Sequence, residues 1–438
     1  MNTSLNNNFE EVERLLFLNS DNQIKPGLER IRNLLNNLNN PQNFFPSIHV
    51  VGTNGKGSTA AFLESIFRES GYKTGFYSSP HLESPAERLL INSHELDSQT
   101  WLKAVKIAIN ALHDDTQNKT SYFELLTAAA FLLACENNIE IGIIEAGLGG
   151  RLDATNLLNQ VICSVITSIS MDHMEYLGNT LESIASEKFA VIRKDKPAVY
   201  SGNNQSLIKL FRNFCDEKKT SGYVLGEDAQ IKNINISITG NTFDFYSENL
   251  SLKNVHTSLI GSYQVNNAAL ALLAISRVKN LFPKISNQTI LSGINNTAWK
   301  GRLEIISENP LTILDGGHNP DGVRNLVDSV KLLFQNKKIG IVYAVMKDKD
   351  YLSCLKILNE INPSFYATCV PDMKRSLKPQ ELLNTAQNFS WQNNISSFEN
   401  PLDAVKTSQQ QNDLTIICGS LYLIGMIRKN LSCSFDFA

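Results

Sequence analysis

The sequence predicts a two-domain α/β protein in which each domain is built around a mostly parallel sheet. An apolar strand, a glycine-rich turn and a helix follow one another directly at residues 48–67. Nearly all-apolar segments at 139–144 and 161–169 are typical of parallel strands that are buried on both faces. The strand–helix alternation is interrupted at about 221–260 and restarts beyond residue 301, which indicates two successive α/β units.

Hydrophobic periodicity predicts the elements of the N-terminal part. In the segment 27–38 the apolar residues share one helical face, and Pro26-Gly27 supplies a turn in front of it. Helices are predicted at 9–19, 27–38, 60–67, 98–113, 121–136, 180–192, 204–216, 264–279 and 286–295, and strands at 48–51, 74–77, 139–144, 161–169 and 198–200.

A change of period marks the domain organisation. Short alternating segments at 231–238, 242–246 and 255–259 predict a small antiparallel sheet on the first domain. Residues 296–301 are the candidate hinge, so we expect one domain at 1–298 and a second at 299–438. In the second, strands are predicted at 312–315, 339–345, 365–370 and 414–418, and helices at 321–335, 351–361, 379–387, 402–410 and 421–429.

The turn Gly52–Thr59, with the sequence GTNGKGST, predicts a phosphate-binding loop. Its glycines let backbone N–H groups close on a phosphate, and the following helix dipole favours negative charge. Lys56 is expected to reach the terminal phosphate oxygens, with Ser58 or Thr59 holding a phosphate or magnesium. The usual GxxxxGK[ST] pattern would need glycine at Val50 and a hydroxyl at Gly57, so a turn without a nucleotide role is the alternative.

Composition excludes several classes of protein. The 438 residues are 42% hydrophobic and 19% charged, and the net charge of −3 gives no bulk field for nucleic acid or an acidic membrane. The seven cysteines are far apart with no CxxC pair, which favours a reducing compartment. No signal peptide or membrane-spanning segment is recognised. We therefore expect a cytoplasmic monomer that binds neither nucleic acid nor membrane.

Two polar residues lie at the ends of predicted buried strands, where a polar side chain has no evident structural role. Glu145 follows the strand at 139–144, and His173 follows the strand at 161–169. Oxygen ligands suit Mg²⁺, which keeps several waters, so Glu145 is a candidate magnesium ligand. The alternatives are a carboxylate that caps a helix and a histidine at the surface. Ser79, after the strand at 74–77, lies in a third such segment.

Further candidates have equally plain alternatives. Lys188 on the helix 180–192 is either functional or a solvated helix lysine. Asp315 and His318 follow the first strand of the second domain, where ligands bind in such sheets, but an Asp-Gly turn is the simpler interpretation. Arg302 belongs to a linker or reaches a phosphate when domains close. No GxSxG elbow supports a hydrolase, and no GxGxxG opens the first strand–helix unit.

These residues together resemble a known family. The chain is similar to the ATP-dependent Mur-type amide ligases, and within them to the folylpolyglutamate synthase/dihydrofolate synthase family. The matching segments run in family order over nearly the whole chain: GTNGKGST (52–59), SSPHLESPAER (78–88), EAGLGGRLDATN (145–156), SEK (186–188), GRLE (301–304), LDGGHNP (314–320) and GSLYLIG (419–425). The resemblance implies a P-loop-type Mur ligase ATPase domain followed by a Rossmann-like α/β domain.

The resemblance also implies roles for individual residues. ATP is assigned to Thr53, Asn54, Gly55, Lys56, Gly57, Ser58, Asn267, Arg302 and Asp315, with His318 close by as a catalytic residue beside Lys56 and Lys188. Two magnesium ions are assigned to Ser79, Glu145, His173 and Lys188, the last as a carbamate. The pterin substrate is assigned to Gly27, Leu28, Glu29, Arg30, Ser121, Tyr122, Phe123, Glu124, Leu152, Asp153 and Ala154.

The implied activity belongs to folate biosynthesis and one-carbon metabolism. ATP would convert the carboxylate of dihydropteroate or tetrahydrofolate into an acyl phosphate, which the amine of L-glutamate attacks. Ligation to folates alone, a peptidoglycan-precursor ligase, and a P-loop regulator without ligase activity are the alternatives. Phe189 stands where the family commonly has alanine, and we expect it to crowd the carbamate site.

Overall fold

The computed structural model of the chain describes residues 9–21, 23, 25–112, 119–202 and 204–435, with side chains to residue 431. The end of the predicted helix 98–113, the amino-terminal eight residues and the Cys433 side chain lie outside the described residues. The chain forms two compact units. The first comprises residues 1–234, 242–257 and 265–297, and the second comprises 235–241, 258–264 and 298–438.

Helices and strands alternate through the N-terminal part of the chain. The strands are β1 (Ser47–Val51), β2 (Thr74–Tyr77), β3 (Leu89–Ile91), β4 (His94–Glu95), β5 (Ile141–Glu145), β6 (Val161–Ile166), β7 (Ala198–Tyr200), β8 (Gly222–Val224), β9 (Ala229–Ser237), β10 (Gly240–Ser247) and β11 (Leu250–Thr257). The helices are α1 (Phe9–Asn19), α2 (Glu29–Asn37), α3 (Lys56–Glu69), α4 (Ser98–Asn110), α5 (Tyr122–Glu136), α6 (Met174–Leu177), α7 (Leu181–Phe189), α8 (Gln205–Glu217), α9 (Ser262–Val278) and α10 (Asn287–Asn295).

The sheet of the first unit has the order β4-β3-β2-β5-β1-β6-β7-β8. Its strands run parallel from β2 to β8, and β3 and β4 form an antiparallel edge. Parallel strands end at the same edge of a sheet, so the segments after β1, β2, β5 and β6 lie near one another. Those segments carry Gly52, Ser79, Gly147 and Thr167.

A second, three-stranded sheet has the order β11-β10-β9. It corresponds to the antiparallel patch that the alternating pattern predicts, although its strands are longer than the predicted segments. Its two hairpin turns lie at residues 238–239 and 248–249, and the positive-φ residues Asn233 and Asn254 lie inside β9 and β11.

The C-terminal part repeats the strand–helix alternation. Its elements are β12 (Glu304–Glu308), β13 (Leu311–Leu314), α11 (Pro320–Leu333), β14 (Ile339–Tyr343), α12 (Tyr351–Leu358), β15 (Ser364–Ala367), α13 (Pro379–Ala386), β16 (Ile395–Ser397), α14 (Pro401–Gln411), β17 (Leu414–Cys418) and α15 (Leu421–Phe435). The sheet order is β12-β13-β17-β14-β15-β16, parallel except for β12. The predicted two-domain α/β fold with a small antiparallel sheet is confirmed.

The sequence prediction misses the short strands. Strands β3, β4, β8, β12 and β16 have two to five residues each, too few for a clear alternation. Helix α3 begins at Lys56 rather than at residue 60, because the apolar pattern starts only after its polar first turn. Within the described residues, no helix combines the length and apolar character needed to cross a membrane.

Candidate active site

Two side chains approach the glycines of the turn after β1 closely. Gly52 has φ +152°, and a Cβ there would lie 1.8 Å from Thr167 Oγ1. Gly55 has φ +84°, and a Cβ there would lie 2.4 Å from the side-chain oxygen of Asn267. Only glycine fits either position. The structure thus brings Asn267 against the loop, although the two are more than 200 residues apart in sequence.

The loop is fastened to the segment that follows β6. The Thr53 amide donates to the Ser168 carbonyl at 2.7 Å, and the Thr53 hydroxyl donates to the Ser170 carbonyl at 3.2 Å. The Asn54 carbonyl accepts from the Thr167 hydroxyl at 2.7 Å. Immediately afterwards helix α3 begins at Lys56, so its N-terminal N–H groups follow the loop directly. This is the arrangement of backbone and helix that favours an anion.

Two lysine amines meet at the Gly52 carbonyl oxygen. Lys56 Nζ donates to it at 3.2 Å and to the Thr53 carbonyl at 3.1 Å. Lys188 Nζ, from α7, donates to the same Gly52 oxygen at 2.8 Å. Lys188 is only 3% exposed, so the interpretation as a solvated helix lysine is wrong. Burial, assisted by the charge of Lys56, lowers the pKa of Lys188 to about 7.

Helix α7 carries Lys188 between the phosphate loop and the segment after β5. A Cβ at Gly150 would lie 2.7 Å from the Glu187 carbonyl and 3.1 Å from Lys188 Cα. The following residue, Phe189, is fully buried and packs its ring against Tyr200 and Phe211 at centroid distances of 5.4 and 5.5 Å. Its ring therefore fills an aromatic cluster of the core, in place of the crowding expected at Lys188.

Ser79 and Glu145 lie side by side. The Ser79 amide donates to Glu145 Oε2 at 3.2 Å, and Glu145 is 5% exposed. The Ser79 hydroxyl oxygen is buried and has no hydrogen-bond partner within the described part of the chain. A buried hydroxyl beside a buried carboxylate fits a hard cation, which supplies the missing partner. These residues are therefore suited to holding Mg²⁺.

His173 precedes α6 in a left-handed conformation with φ +53°. Its side chain is 37% exposed, and its Nε2 lies 3.9 Å from Asp172 Oδ2. Among the described residues, no group of three His, Cys, Asp or Glu side chains has the spacing of a metal site. The candidate ligands are one carboxylate, one imidazole and one hydroxyl. So small a protein ligand set suits Mg²⁺, which takes few protein ligands and completes its coordination with water and phosphate.

A cavity of about 350 Å³ opens beside these residues in the first unit. Most of the predicted substrate residues line it, together with Ser79 and His173: Gly27, Ser121, Tyr122, Phe123, Glu124, Leu152, Asp153 and Ala154. Its wall includes the Phe123 ring, which lies so close to Gly147 that a Cβ there would be 2.5 Å from Cζ. An apolar cavity with a few fixed polar groups is the usual form of a small-molecule site.

Leu28, Glu29 and Arg30 lie outside the lining of this cavity. Glu29 is exposed at the start of α2, and Leu28 packs against the hydrophobic core. Arg30 Nε donates to Glu124 Oε2 at 3.1 Å, and Glu124 is 3% exposed. Glu124 also accepts from the Ser121 amide at 2.7 Å in a capping box at the start of α5. Arg30 thus stabilises the cavity wall through its ion pair with Glu124, which lines the cavity.

Asp153 is positioned by a relay, by which we mean the buried chain of hydrogen bonds from His49 through Thr155 to Asp153. Its Oδ2 accepts from the Leu148 amide at 2.7 Å, and its Oδ1 accepts from the Thr155 amide at 2.9 Å. The Thr155 hydroxyl donates to the same Oδ1 and lies 2.8 Å from Nε2 of His49, which is fully buried in β1. Because that hydroxyl gives its proton to Asp153, it accepts from His49. Burial raises the pKa of Asp153 and lowers that of His49 to about 3.

In the second unit, Asp315 holds a turn together. Its carboxylate accepts from the Leu303 amide at 3.0 Å and the Gly317 amide at 2.8 Å. Leu303 has φ +45°, a conformation that costs about 1–2 kcal/mol for an L-residue and that this hydrogen bond helps to maintain. The hydrogen bonds of Asp315 are thus those of a residue that stabilises a turn, which is the simpler of the two interpretations of this residue from the sequence.

Arg302 and His318 lie at the same turn. A Cβ at Gly316 would be 1.9 Å from Arg302 Nη1, so the guanidinium passes directly over this glycine. His318 is half-buried, with Nδ1 3.0 Å from the Gly316 carbonyl. Burial raises the pKa of Asp315, while the charge of Arg302 opposes that rise. The second unit thus gathers its three predicted residues at the carboxyl end of β13.

Sequence reasoning missed some residues that line or support the cavity. Lys25 and Arg88 line it, and His49 supports it from beneath. Arg88 falls in a quoted family segment, but no periodicity indicates which way its side chain points. His49 sits within an apolar run, and a polar residue fully enclosed by strand residues is itself a signal of a specific hydrogen bond.

The chain matches two family models. The Mur ligase middle domain covers residues 50–275, and the Mur ligase glutamate ligase domain covers residues 301–421. The first of these alone spans more than half of the 438 residues. This chain belongs to the Mur ligase family, and it is an ATP-dependent ligase.

Within that family the chain groups with the dihydrofolate synthase/folylpolyglutamate synthases. The Bacillus subtilis protein of that name is 35% identical over 418 residues, which cover 93% of this chain and 95% of the relative. Folylpolyglutamate synthase of Mycobacterium tuberculosis complexed with ADP has a TM-score of 0.90 at 27% identity, covering 97% and 98% of the two chains. Escherichia coli FolC in complex with DHPP and ADP has a TM-score of 0.87 at 28% identity, covering 99% and 100%.

Proposed function

We propose that this chain joins L-glutamate both to dihydropteroate and to reduced folates, with conversion of ATP to ADP and phosphate. One observation carries the proposal. The phosphate loop, the Lys188 amine and the cavity are contiguous within one unit, because α7 packs on the loop through Lys188 and on the cavity segment through Gly150. The names of the relatives, and their complexes with ADP, support the same activity.

The reaction begins with activation of the acid. A carboxylate oxygen of the substrate forms a bond to the γ-phosphorus as the bond to ADP breaks. The amine of glutamate, having lost one proton to solvent, then forms a bond to the acyl carbon. Phosphate leaves with the former carboxylate oxygen and takes the second proton of the amine, which gives the amide. Lys56 neutralises charge on the transferring group, because its amine is held at the loop by two carbonyl oxygens.

The cavity residues orient the substrate. We assign the pterin end to Asp153, whose carboxylate is fixed by two backbone amides and the Thr155 hydroxyl. The Phe123 ring and the capped start of α5 also line the cavity. A rigid wall keeps the substrate carboxylate in line with the phosphate loop, which is the main contribution that positioning makes to such a reaction.

Magnesium is assigned to Ser79, Glu145 and His173, on the orphaned Ser79 hydroxyl and its contact with Glu145. When bound, the ion supplies positive charge that stabilises the phosphates during transfer. We assign further nucleotide contacts to Thr53, Asn54, Gly55, Gly57 and Ser58 of the loop, to Asn267 beside it, and to Arg302, Asp315 and His318 of the second unit.

We further propose that Lys188 is carbamoylated. With its pKa lowered to about 7, the amine is substantially neutral at neutral pH, which is the form that attacks carbon dioxide. The nitrogen forms a bond to the carbon of CO₂ and releases one proton to solvent, which gives a carboxylate-like anion next to Lys56. Lys188→Ala should abolish activity, and short carboxylic acids should partly restore it. Full activity without rescue would remove this assignment.

Glutamate-dependent release of ADP tests the proposed function. Dihydropteroate and tetrahydrofolate are offered separately, each with and without L-glutamate. Release with both acids supports the bifunctional ligase. Release with tetrahydrofolate alone indicates a ligase that only extends folates, and release with neither acid contradicts the proposal. Inclusion of Lys56→Ala in the same assay excludes a contaminating ATPase.

A further inference from the structure

Arg88 is a buried cation on the wall of the cavity. It ends a 3-10 helix at Pro85–Arg88, and it is 7% exposed while its side chain lines the cavity. Its carbonyl accepts from the Ser78 amide at 3.2 Å, which fixes Arg88 beside the segment that carries Ser79. The residue therefore lies at the end of the cavity where the reaction is proposed to occur.

Arg88 differs from the two other long cationic side chains that line the cavity, Lys25 and Arg151, because each of those forms an ion pair. Lys25 lies 2.7 Å from Asp21 Oδ2, and Arg151 lies 2.8 Å from Glu187 Oε1. Within the part of the chain that the structure describes, Arg88 makes no ion pair. Its Nε donates to His81 Nδ1 at 3.1 Å, and a ring nitrogen that accepts a hydrogen bond is neutral.

A buried guanidinium without a counter-charge is expensive, and proteins avoid it unless an anion is supplied. Arg88 lines the cavity, so an anion bound in the cavity would supply the missing counter-charge. We propose that Arg88 binds the carboxylate of the acid substrate that becomes activated, and orients it towards the phosphate loop. This inference rests on the proposed function and names the group that selects the acid end of the substrate.

A guanidinium suits this task because its planar fork matches both carboxylate oxygens. Its Nε donates to His81, so the two terminal nitrogens are the donors that a substrate carboxylate would use. The same carboxyl position exists in dihydropteroate and in folates, so one arginine serves both acids. Loss of Arg88 should therefore weaken both acids and spare ligands that lack the carboxylate.

The test compares binding of dihydropteroate with binding of its carboxamide analogue, by titration without ATP. For Arg88→Met we expect affinity for the acid to fall by about 30- to 100-fold and affinity for the amide to change by less than about threefold. Arg88→Lys, which retains the charge but lacks the fork, should lose about 5- to 10-fold for the acid. Arg324→Met, a variant of a surface arginine paired with Glu360, is the matched control.

Thermal unfolding of the same free variants separates binding from structure. A buried charge without a counter-ion lowers the stability of the ligand-free protein. Arg88→Met should therefore melt at the same temperature as the wild type or higher. Equal loss of acid and amide, or a lowered melting temperature with both ligands weakened, would overturn the inference. Unchanged acid affinity in Arg88→Met would also overturn it, while the proposed function stands. A wild type that binds no dihydropteroate would instead remove the proposed function.

Discussion

The side-chain amines of Lys56 and Lys188 donate hydrogen bonds to one and the same oxygen, the carbonyl of Gly52, at 3.2 and 2.8 Å. Two cations held at one carbonyl repel each other, and the pKa of Lys188 falls to about 7 through burial and through this neighbour. A glycine carbonyl that gathers two amines marks the place where negative charge is expected.

Replacement of Lys56 should remove catalysis and leave the fold intact. Lys56→Ala deletes the charge that neutralises the transferring phosphoryl group, so kcat should fall by about 100- to 1,000-fold. Circular dichroism and the melting temperature should stay close to those of the wild type, because the amine donates to loop carbonyls at the start of α3 and not to groups of the hydrophobic core. The exposed Lys103→Ala is the control. Near-normal ATP turnover in Lys56→Ala would contradict the phosphate role.

Lys188 should make stability depend on pH in carbon-dioxide-free buffer. Its pKa is about 7 in the folded protein and about 10.5 unfolded, so the buried cation costs stability fully below pH 7. That cost should shrink by about 1.4 kcal/mol per pH unit as the pH rises from 7 towards 10.5. Lys188→Met should therefore be more stable than the wild type at pH 6.5, and its advantage should diminish by pH 9.5. Urea unfolding measures this, and an advantage independent of pH would be contrary to it.

Glu145 should set the magnesium requirement. Glu145→Ala removes the carboxylate beside the Ser79 hydroxyl, and the magnesium concentration for half-maximal activity should rise by about 10- to 100-fold. Glu136→Ala, which changes an exposed carboxylate at the end of α5, serves as the control. A magnesium titration that superimposes on that of the wild type would count against the assigned site.

The Thr155 hydroxyl should govern affinity for the pterin. Thr155→Val removes the donor to Asp153 and strands the His49 Nε2 hydrogen in the core, so the KM for dihydropteroate should rise by about tenfold. Thr155→Ser keeps the hydroxyl and should stay within about threefold of the wild type. The two variants differ chiefly in this hydroxyl. Equal KM values for both would show that the relay from His49 does not position Asp153.

Much of the fold was predictable because its signals are local. The strands β1, β5 and β6 are mostly apolar runs, and the glycines of the loop that begins at Gly52 indicate a turn after β1. The short edge strands β8, β12 and β16 were missed, because three to five residues pair only where a neighbouring strand already exists.

The site residues could be predicted from the sequence only where a polar residue lies at the end of a predicted strand. Glu145 ends β5 and Ser79 comes shortly after β2, the neighbouring parallel strand, so their proximity follows from topology. Lys188 reads as a surface lysine, since its burial depends on a contact with Gly52, 136 residues earlier in the chain. Arg88 likewise acquires its place only when the loop after β2 folds back on itself. Such long-range contacts leave no periodic trace in a single sequence.

The central claim is that the carboxylate of the acid substrate attacks the γ-phosphorus of ATP held at the glycine loop. Dihydropteroate with ¹⁸O at both carboxylate oxygens tests this directly, by mass spectrometry of the phosphate released during glutamate addition. The account predicts one ¹⁸O atom per phosphate formed, in an amount equal to the amide product. Phosphate without the label, formed at the same rate as the amide, would contradict it.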